Sequence, residues 1–284
     1  MPELPEVETT RRGIEPWVVG QRLHATKTYN AALRWPVQSP DLLNGCLVKA
    51  LTRRGKYLLF EFDVGTLIVH LGMSGSLRVL DEDTPLLKHD HFEMVIGESP
   101  RRLIRLNDPR RFGCVRFHSV DALEPHPLLA HLGIEPFSNE FGGSDLFRRS
   151  RNRKVAVKNF IMDSKVVVGV GNIYAAESLF LAGMRPTVPA GRVSRRGYDA
   201  LAQAIQRVLA NAIRQGGTTL RDFVGSDGNP GYFRQYLYVY GRGGELCRVC
   251  ETTLKETVIG GRSTVHCNNC QRRTDYRPPV GAIV

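Results

Sequence analysis

The stretch KYLLFEFDVGTLIVHLGMSGSLRVL, residues 56–80, contains three short runs rich in β-branched and aromatic residues, separated by turns at 63–65 and 72–75. Runs of the same kind follow at 91–96 (HFEMVI), 102–106 (RLIRL) and 114–117 (CVRF). Short strands punctuated by glycine, asparagine and proline are typical of an all-β sandwich or barrel. We therefore predict a β-sandwich between about residues 23 and 117.

Helical patterns flank this β region on both sides. Pro5–Val18 carries apolar residues at helical spacings and begins with a proline and early acids, which suits the start of a helix. Beyond about Asp121 the pattern becomes helical again, with Tyr174–Ala182 and Tyr198–Arg214 as helix candidates. The predicted fold class is α+β with several domains, in which an N-terminal β-sandwich with flanking helices precedes a helical domain.

The charge of the chain favours an anionic partner. Its 284 residues include 39 Lys and Arg against 28 Asp and Glu, so the formal net charge is +11. Much of the excess lies in the clusters Arg53–Lys56, Arg101–Arg111 and Arg148–Lys158, and aromatic residues such as Tyr240 accompany them. Such clusters are either solvated faces or contacts to nucleic-acid phosphates, with the aromatic rings stacking on bases.

A chain of this length favours two domains over one.

Two further patterns concern location. No window contains 18 uninterrupted apolar residues, so the sequence predicts no membrane-spanning helix. The N-terminus, MPELPEVETT, lacks the basic and apolar regions of a signal sequence, and we expect a cytoplasmic protein.

Four of the six cysteines form the pattern CxxC-x16-CxxC: Cys247, Cys250, Cys267 and Cys270. Two thiolates on one tight turn can face the same ion, and two such turns close a tetrahedral Zn²⁺ site. Disulfides are the alternative. Four thiolates fill the coordination sphere, so we predict one structural zinc ion that supplies folding energy to a segment too short to bury its own core. Cys46 and Cys114 stand alone in apolar surroundings, which is typical of small buried residues.

The N-terminal residues combine a nucleophile with an acid. Methionine is usually removed when a small residue such as Pro2 follows it, which leaves the proline nitrogen as a free secondary amine. The pKa of a terminal amine is about 8, well below that of a lysine side chain, so a larger fraction of the amine is unprotonated at neutral pH. It could attack an anomeric carbon and form a Schiff base while Glu3 protonates the leaving group. The alternative is a proline that only begins the chain, next to acids that cap a helix.

A series of motifs runs along nearly the whole chain. They are PELPEVETTRRGIEPWVVG (2–20), GKYLLF (55–60), HLGMSGSLRV (70–79), KHDHFEM (88–94), NDPRRFG (107–113), MDSKVVVGVGNIYAAESLFLAGMRP (162–186), GGTTLRDF (216–223), SDGNPGYFRQYLYVYGR (226–242) and the four-cysteine segment. In kind and order they resemble bacterial formamidopyrimidine-DNA glycosylases. The resemblance implies base excision repair, in which oxidised purines such as 8-oxoguanine are removed from DNA and the strand is cleaved. It also implies a β-sandwich, a helix–two-turn–helix domain and a zinc finger.

The resemblance implies a chemical role for five residues. Pro2 matches the nucleophile that attacks the deoxyribose C1′, Glu3 the acid that assists loss of the base, and Glu6 a second acid near the site. Lys56, in GKYLLF, matches the lysine assigned as proton donor for β-elimination. Arg262, in GGRSTVHC, matches the finger arginine credited with a proton transfer in δ-elimination. Because a guanidinium keeps its proton above about pH 12, we expect Arg262 to hold the phosphate next to the lesion.

Further matches predict contacts with double-stranded DNA. His89, Arg110 and Lys154 match family positions that hold phosphates or the gap in the duplex. Met73, Arg110 and Phe112 match the side chains that fill the space of the flipped base. A flexible apolar chain, a planar cation and an aromatic ring can each replace lost stacking.

Two patterns leave alternatives. Gly169–Asn172 suggests a dinucleotide-binding motif, but Tyr174 stands where a small residue is required. We predict instead that Asn172 begins a helix and presents its amide to a DNA phosphate, with Lys158 as its companion. His89 and His91 could hold a metal, but no third ligand is evident.

The motifs predict five segments in a monomer. These are a catalytic β-sandwich domain at 1–135, a helix–two-turn–helix domain at 136–225 that opens with the linker Pro136–Gly143, a lesion-capping loop and connector at 226–243, a zinc finger at 244–273 and a tail at 274–284. Pro278 and Pro279 predict an extended, disordered tail. The chain departs from many relatives at Arg234–Leu237, which has no assigned role. The competing hypotheses are a relative resembling endonuclease VIII, which prefers oxidised pyrimidines, and a non-catalytic zinc-ribbon protein that binds DNA.

Overall fold

The predicted β region consists of antiparallel strands. The computed structural model describes residues 1–218, 236–273 and 276–281. Its N-terminal part contains helix α1 (Leu4–Val18), strands β1 (Leu23–Thr28), β2 (Ala50–Arg54), β3 (Tyr57–Phe62), β4 (Gly65–His70), β5 (Ser76–Asp81), β6 (Asp90–Ile96), β7 (Arg102–Asn107) and β8 (Cys114–Ser119), and the short helix α2 (Pro127–Ala130).

The strands form two four-stranded sheets, in the orders β1-β6-β7-β5 and β2-β3-β4-β8. Buried side chains from both sheets, among them Phe60, Leu67, Phe92 and Ile104, share one hydrophobic core. Branched and aromatic side chains favour such a pleated, covered surface. All six predicted strands are present, and the predicted sandwich is confirmed.

Helix α1 packs an apolar stripe onto this core. The stripe consists of Leu4, Val7, Ile14 and Val18, which are at most 1% exposed. Their spacing puts them on one face of a helix, and burial of each side chain contributes about 1.5–3 kcal/mol. Pro5 lies in the first turn, where the missing N–H costs no helical hydrogen bond. The packing therefore anchors the residues that immediately precede the helix, Pro2 and Glu3.

Two strands, β1 and β2, were missed by the sequence prediction. Both lie at a sheet edge, and their sequences, LHATKT and ALTRR, carry polar residues where an edge strand faces solvent. Their apolar signal is correspondingly weak. Arg53 and Arg54 end β2 and precede β3.

The second unit is helical and ends in a two-stranded hairpin. Its elements are helices α3 (Gly143–Ser150), α4 (Val157–Met162), α5 (Asn172–Leu181) and α6 (Arg195–Arg214), and strands β9 (Lys255–Ile259) and β10 (Arg262–His266). Helix α5 is buried along nearly its whole length, whereas α6 buries one face with Leu201, Ile205 and Leu209. Both helices predicted from the periodicity are confirmed.

Each of the two units is made of two separate segments of the chain. The first unit contains Met1–Ala130 and a later segment that begins at Gln215, whereas the second begins at His131. The domain boundaries at 135/136 and 225/226 stay predictions. Most of the predicted capping loop at 226–243 lies outside the described residues. Within the described part of the chain, no helix has the length and apolarity needed to cross a membrane.

The described part of the C-terminal tail, residues 276–281, packs on the helices of the second unit. The Tyr276 ring lies against Gly197 in the first turn of α6, where any Cβ would overlap it. The backbone of Arg277 covers Gly183 just beyond α5 in the same way. Partial burial raises the pKa of Tyr276. Residues 276–281 contain no helix or strand, as expected for an extended tail, and two glycines leave room for them to pack.

Replacing Tyr276 by alanine is expected to lower the free energy of unfolding by about 1–2 kcal/mol, since part of an aromatic side chain loses its packing. Thermal melting of the full chain checks this, with an expected fall of about 2–4 °C. Val280→Ala is the control, because Val280 is 94% exposed and its truncation should leave the melting temperature unchanged. Equal melting temperatures for both variants would contradict a packing role for the tail.

Candidate active site and nucleic-acid contacts

The N-terminal residues are held in place by a buried carboxylate. Glu3 is 2% exposed, and its backbone N–H donates to Glu6 Oε2 at 2.8 Å. Glu6 is itself fully buried, and its Oε1 accepts from the Thr218 backbone N–H at 2.8 Å. One carboxylate thus joins the start of α1 to a segment more than two hundred residues later in the chain. These bonds fix the backbone of Glu3 relative to Glu6 and Thr218.

Lys56 lies at the tight turn between β2 and β3 and is half-buried. A neighbour that the sequence did not single out is His70, which pairs across the strands with Tyr57, the two rings 4.8 Å apart. The Nδ1 atom of His70 accepts from the Gly72 backbone N–H at 3.0 Å. Burial and the nearby Lys56 ammonium lower the pKa of His70 to about 4, so the imidazole is neutral at physiological pH. Only the strand register brings His70 to this site.

The structure brings together the three predicted gap-filling residues. Met73 lies on the turn between β4 and β5, and Arg110 and Phe112 lie on the loop between β7 and β8. The two turns touch at Gly72, where a Cβ would overlap the backbone of the opposite loop. The Arg110 guanidinium lies 5.1 Å from the centre of the Phe112 ring, and both side chains are exposed. A cation and an aromatic ring are therefore presented side by side to solvent.

His89 and His91 do not form a metal pair. His89 is half-buried just before β6, whereas His91 is buried with its Nε2 2.9 Å from the Asp108 carbonyl oxygen. Their ring centres are 6.5 Å apart. Among the described residues, the group that could hold a metal ion is the cysteine cluster instead.

The four cysteine sulfur atoms converge in the second unit. They lie within 4.8 Å of one another at the base of the β9–β10 hairpin. Sulfur atoms about 2.3 Å from a tetrahedral zinc ion would be about 3.8 Å apart, which this cluster fits. Across the two turns, the sulfur atoms of Cys250 and Cys267 are 3.4 Å apart, far beyond a disulfide bond of about 2 Å. The cluster supports one structural zinc ion. Cys114, by contrast, is buried, and its pKa is raised to about 11, as expected for an unreactive thiol.

Lys158 corrects one prediction. Its side chain is fully buried, and Nζ donates to Thr264 Oγ1 at 2.6 Å and to the Ser263 carbonyl at 3.1 Å. The ammonium therefore joins α4 to strand β10 and is not available to a DNA phosphate. Asn172 begins α5 as predicted, but its Nδ2 donates to the same Ser263 carbonyl at 3.1 Å. Its Oδ1 is buried and has no hydrogen-bond partner within the described chain.

The other predicted contact residues of this unit are more accessible. Arg262 is exposed at the start of β10, and Lys154 is exposed before α4. Tyr240 is half-buried, and its backbone N–H donates to Glu177 Oε1 at 2.8 Å. The same carboxylate accepts from the backbone N–H of Tyr238, and burial raises the pKa of Glu177. Glu177 thus fixes the backbone that leads into the finger.

Several arginines of the predicted phosphate-binding clusters are paired with acids of the protein. Examples are Arg53 with Glu8 (3.1 Å), Arg105 with Glu93 (2.6 Å) and Arg149 with Asp145 (2.7 Å). Arg105 is also buried, so it cannot reach a ligand. Charge clusters read from sequence therefore overestimate the cations that face solvent, because they do not reveal which acids lie opposite.

Comparison with known proteins identifies one family over most of the chain. Three family models match in order: "Formamidopyrimidine-DNA glycosylase N-terminal domain" over residues 1–115, "Formamidopyrimidine-DNA glycosylase H2TH domain" over 132–224, and "Zinc finger found in FPG and IleRS" over 244–273. The formamidopyrimidine-DNA glycosylase of Alcanivorax borkumensis is 56% identical over 273 residues, which cover 96% of this chain and 100% of that relative.

Solved structures agree with this similarity. The complex between Lactococcus lactis Fpg and DNA containing an abasic site matches with a TM-score of 0.86 at 32% identity, over 95% of this chain and 99% of that one. MutM in complex with DNA containing carbocyclic 8-oxo-G matches with a TM-score of 0.85 at 33% identity, over 95% and 100% of the two chains. The chain therefore belongs to the formamidopyrimidine-DNA glycosylase family of DNA-repair glycosylases.

Proposed function

We propose that this protein is a bifunctional DNA glycosylase and AP lyase that acts as a monomer in the cytoplasm. It removes oxidised purines, namely 8-oxoguanine and formamidopyrimidines, from double-stranded DNA and then cleaves the strand by β,δ-elimination. The observation that carries this proposal is the fixed N-terminus, where Glu6 holds the backbone of Glu3 next to Pro2. The relatives solved on abasic-site DNA and on 8-oxo-G DNA support the substrate class.

The first step is a nucleophilic substitution at the deoxyribose. With Met1 removed, the Pro2 nitrogen forms a bond to C1′, and the bond between C1′ and the base breaks with its electron pair leaving on the base. Glu3 is the acid beside this nitrogen and supplies the proton that assists departure. The C1′–O4′ bond then breaks as the proton of the Pro2 nitrogen passes to O4′, and a cationic Schiff base between Pro2 and C1′ remains. Burial of both residues supports this step, because it keeps them fixed before DNA arrives.

The second step is elimination. The Schiff-base cation makes a C2′ proton acidic, and its loss expels the 3′-phosphate; a further elimination expels the 5′-phosphate, and water then releases Pro2. Lys56 is the proposed proton carrier at the turn after β2, and a neutral His70 beside it adds no competing positive charge. Arg262 holds a phosphate. The four cysteine thiolates would hold the zinc ion, which would stabilise the finger that carries Arg262.

The remaining predicted contacts hold and open the duplex. Arg110, Lys154 and His89 are proposed to bind phosphates or the gap, with Asn172 and Tyr240 as additional DNA contacts in the second unit. Met73 and Phe112 enter the gap with Arg110 and replace the stacking of the flipped base. Exposure of Arg110 and Phe112 supports this role.

The substrate class is tested by comparing two lesions in otherwise identical duplexes. We expect kcat/KM for 8-oxoguanine opposite cytosine to exceed that for thymine glycol by about tenfold or more, which corresponds to about 1.4 kcal/mol of transition-state stabilisation. Strand cleavage measures both reactions, and the undamaged duplex is the control. A preference for thymine glycol would favour the alternative that resembles endonuclease VIII and would contradict the proposal.

A further inference from the structure

A buried aspartate joins the loops that carry the predicted gap-filling side chains. Asp108 is fully buried between β7 and the loop that follows it. Its Oδ1 accepts from Ser74 Oγ at 2.9 Å, and its Oδ2 accepts from the Gly113 backbone N–H at 2.7 Å. One carboxylate therefore reaches both the turn that carries Met73 and the far end of the loop that carries Phe112.

The backbone of the same residue reaches a third segment. The Asp108 N–H donates to the His89 carbonyl at 2.9 Å, and its own carbonyl lies 2.9 Å from His91 Nε2. This carbonyl also accepts from the Arg111 backbone N–H at 3.1 Å, which closes the turn. The segment with the predicted phosphate contact, His89, is thus fixed to the loop with the predicted gap-filling residues.

Ser74 completes the arrangement. Its hydroxyl donates to Asp108 and accepts from the Arg110 backbone N–H at 3.2 Å. A hydroxyl has one proton to donate, so the carboxylate determines its direction and leaves its lone pairs for Arg110. Ser74 is 3% exposed, which keeps water from replacing either bond.

We infer that Asp108 and Ser74 are positioning residues that hold Met73, Arg110 and Phe112 as one preformed wedge before DNA binds. The inference rests on the proposed function, in which these side chains enter the gap left by a flipped base. Loops that were independent would have to be ordered during insertion, and that cost would slow opening of the duplex. The hydrogen bonds of Asp108 and Ser74 instead order the loops when the protein folds.

Ser74→Ala tests the inference with a small change. It removes the donor to Asp108 and the acceptor for Arg110 but leaves the carboxylate bonded to Gly113. We expect kcat/KM on duplex 8-oxoguanine to fall between about threefold and tenfold, the effect of one or two hydrogen bonds. The same lesion in a bubble of unpaired bases needs no wedge, so its excision should stay within about twofold of the unmodified protein. Ser39→Ala is the matched control, because its buried hydroxyl has no partner within the described residues.

A second readout does not depend on excision. A 2-aminopurine opposite an uncleavable abasic analogue becomes more fluorescent as a wedge unstacks it, and Ser74→Ala should slow this signal while Ser39→Ala does not. If the unmodified protein gave the signal without excising 8-oxoguanine, the proposed function would fail while the inference remained. Equal losses on duplex and bubble, or no loss on either, would overturn the inference.

Asp108→Asn is the stronger variant. An amide can replace only one carboxylate oxygen, so either Ser74 or the Gly113 N–H then faces an NH₂ group. We expect a larger loss on duplex DNA than for Ser74→Ala, again with the bubble substrate spared. Should Asp108→Asn fail to fold, the outcome for Ser74→Ala still decides the inference.

Discussion

Adding one residue before Pro2, so that its nitrogen lies in a peptide bond, is expected to abolish covalent trapping on abasic-site DNA. Borohydride reduces a Schiff base to a stable amine, so trapped protein measures the proposed intermediate directly. An amide nitrogen has no lone pair available for attack on C1′. A terminal amine has one when it is unprotonated, and its pKa is about 8. We expect the trapped fraction to fall by at least about a hundredfold, or about 2.7 kcal/mol in transition-state stabilisation.

Pro2→Gly is the matched variant for this experiment. It keeps a free terminal amine, so trapping should be reduced but not lost. Affinity for DNA containing an uncleavable abasic analogue is the control, and it should change much less than trapping for both variants. Equal losses of trapping and affinity would indicate that Pro2 is structural. Undiminished trapping in the extended chain would point to a lysine nucleophile, with Lys56 the first candidate, and no trapping by the unmodified protein would favour the non-catalytic zinc-ribbon alternative.

How well a strand can be predicted from the sequence depends on how many of its side chains are buried. The central strands β3, β4, β6 and β7 bury at least half of their residues, so hydrophobicity alone finds them. The edge strands β1 and β2 bury few, and their identity depends on partners elsewhere in the chain. The finger is the opposite case, because metal-ligand spacing is a local property and two short cysteine pairs suffice.

The candidate site shows the same limit at the level of single residues. Pro2 and Glu3 can be proposed from the sequence because a terminal amine and an adjacent acid are local features, and their roles stay predictions. Lys158 could not be assigned correctly, since its partners Ser263 and Thr264 lie more than one hundred positions away. Asp108 lies in the motif NDPRRFG, and only the packing of separate loops reveals its partners.

The second large effect is expected from Cys247→Ser. Structural zinc sites in isolated fingers contribute about 10–16 kcal/mol of folding free energy, far more than a hairpin of two five-residue strands can supply. Loss of one thiolate should therefore release the ion and unfold β9 and β10. Zinc content of the purified protein and affinity for abasic-analogue DNA measure the outcome, and we expect affinity to fall by about tenfold or more as the finger contacts are lost.

The packing around the finger predicts how far this damage spreads. The ammonium of Lys158 and the amide of Asn172 both donate to strand β10, so unfolding of the strand leaves a buried cation without these acceptors. Such a group costs several kcal/mol unless water reaches it, and α4 and the start of α5 should loosen with the finger.

Cys46→Ser is the control, because Cys46 lies in the first unit and outside the metal cluster. A Cys247→Ser protein that kept its zinc and its affinity would refute a structural ion. If trapping at saturating DNA were lost as completely as in the Pro2 extension, the finger would contribute to the chemistry as well as to binding.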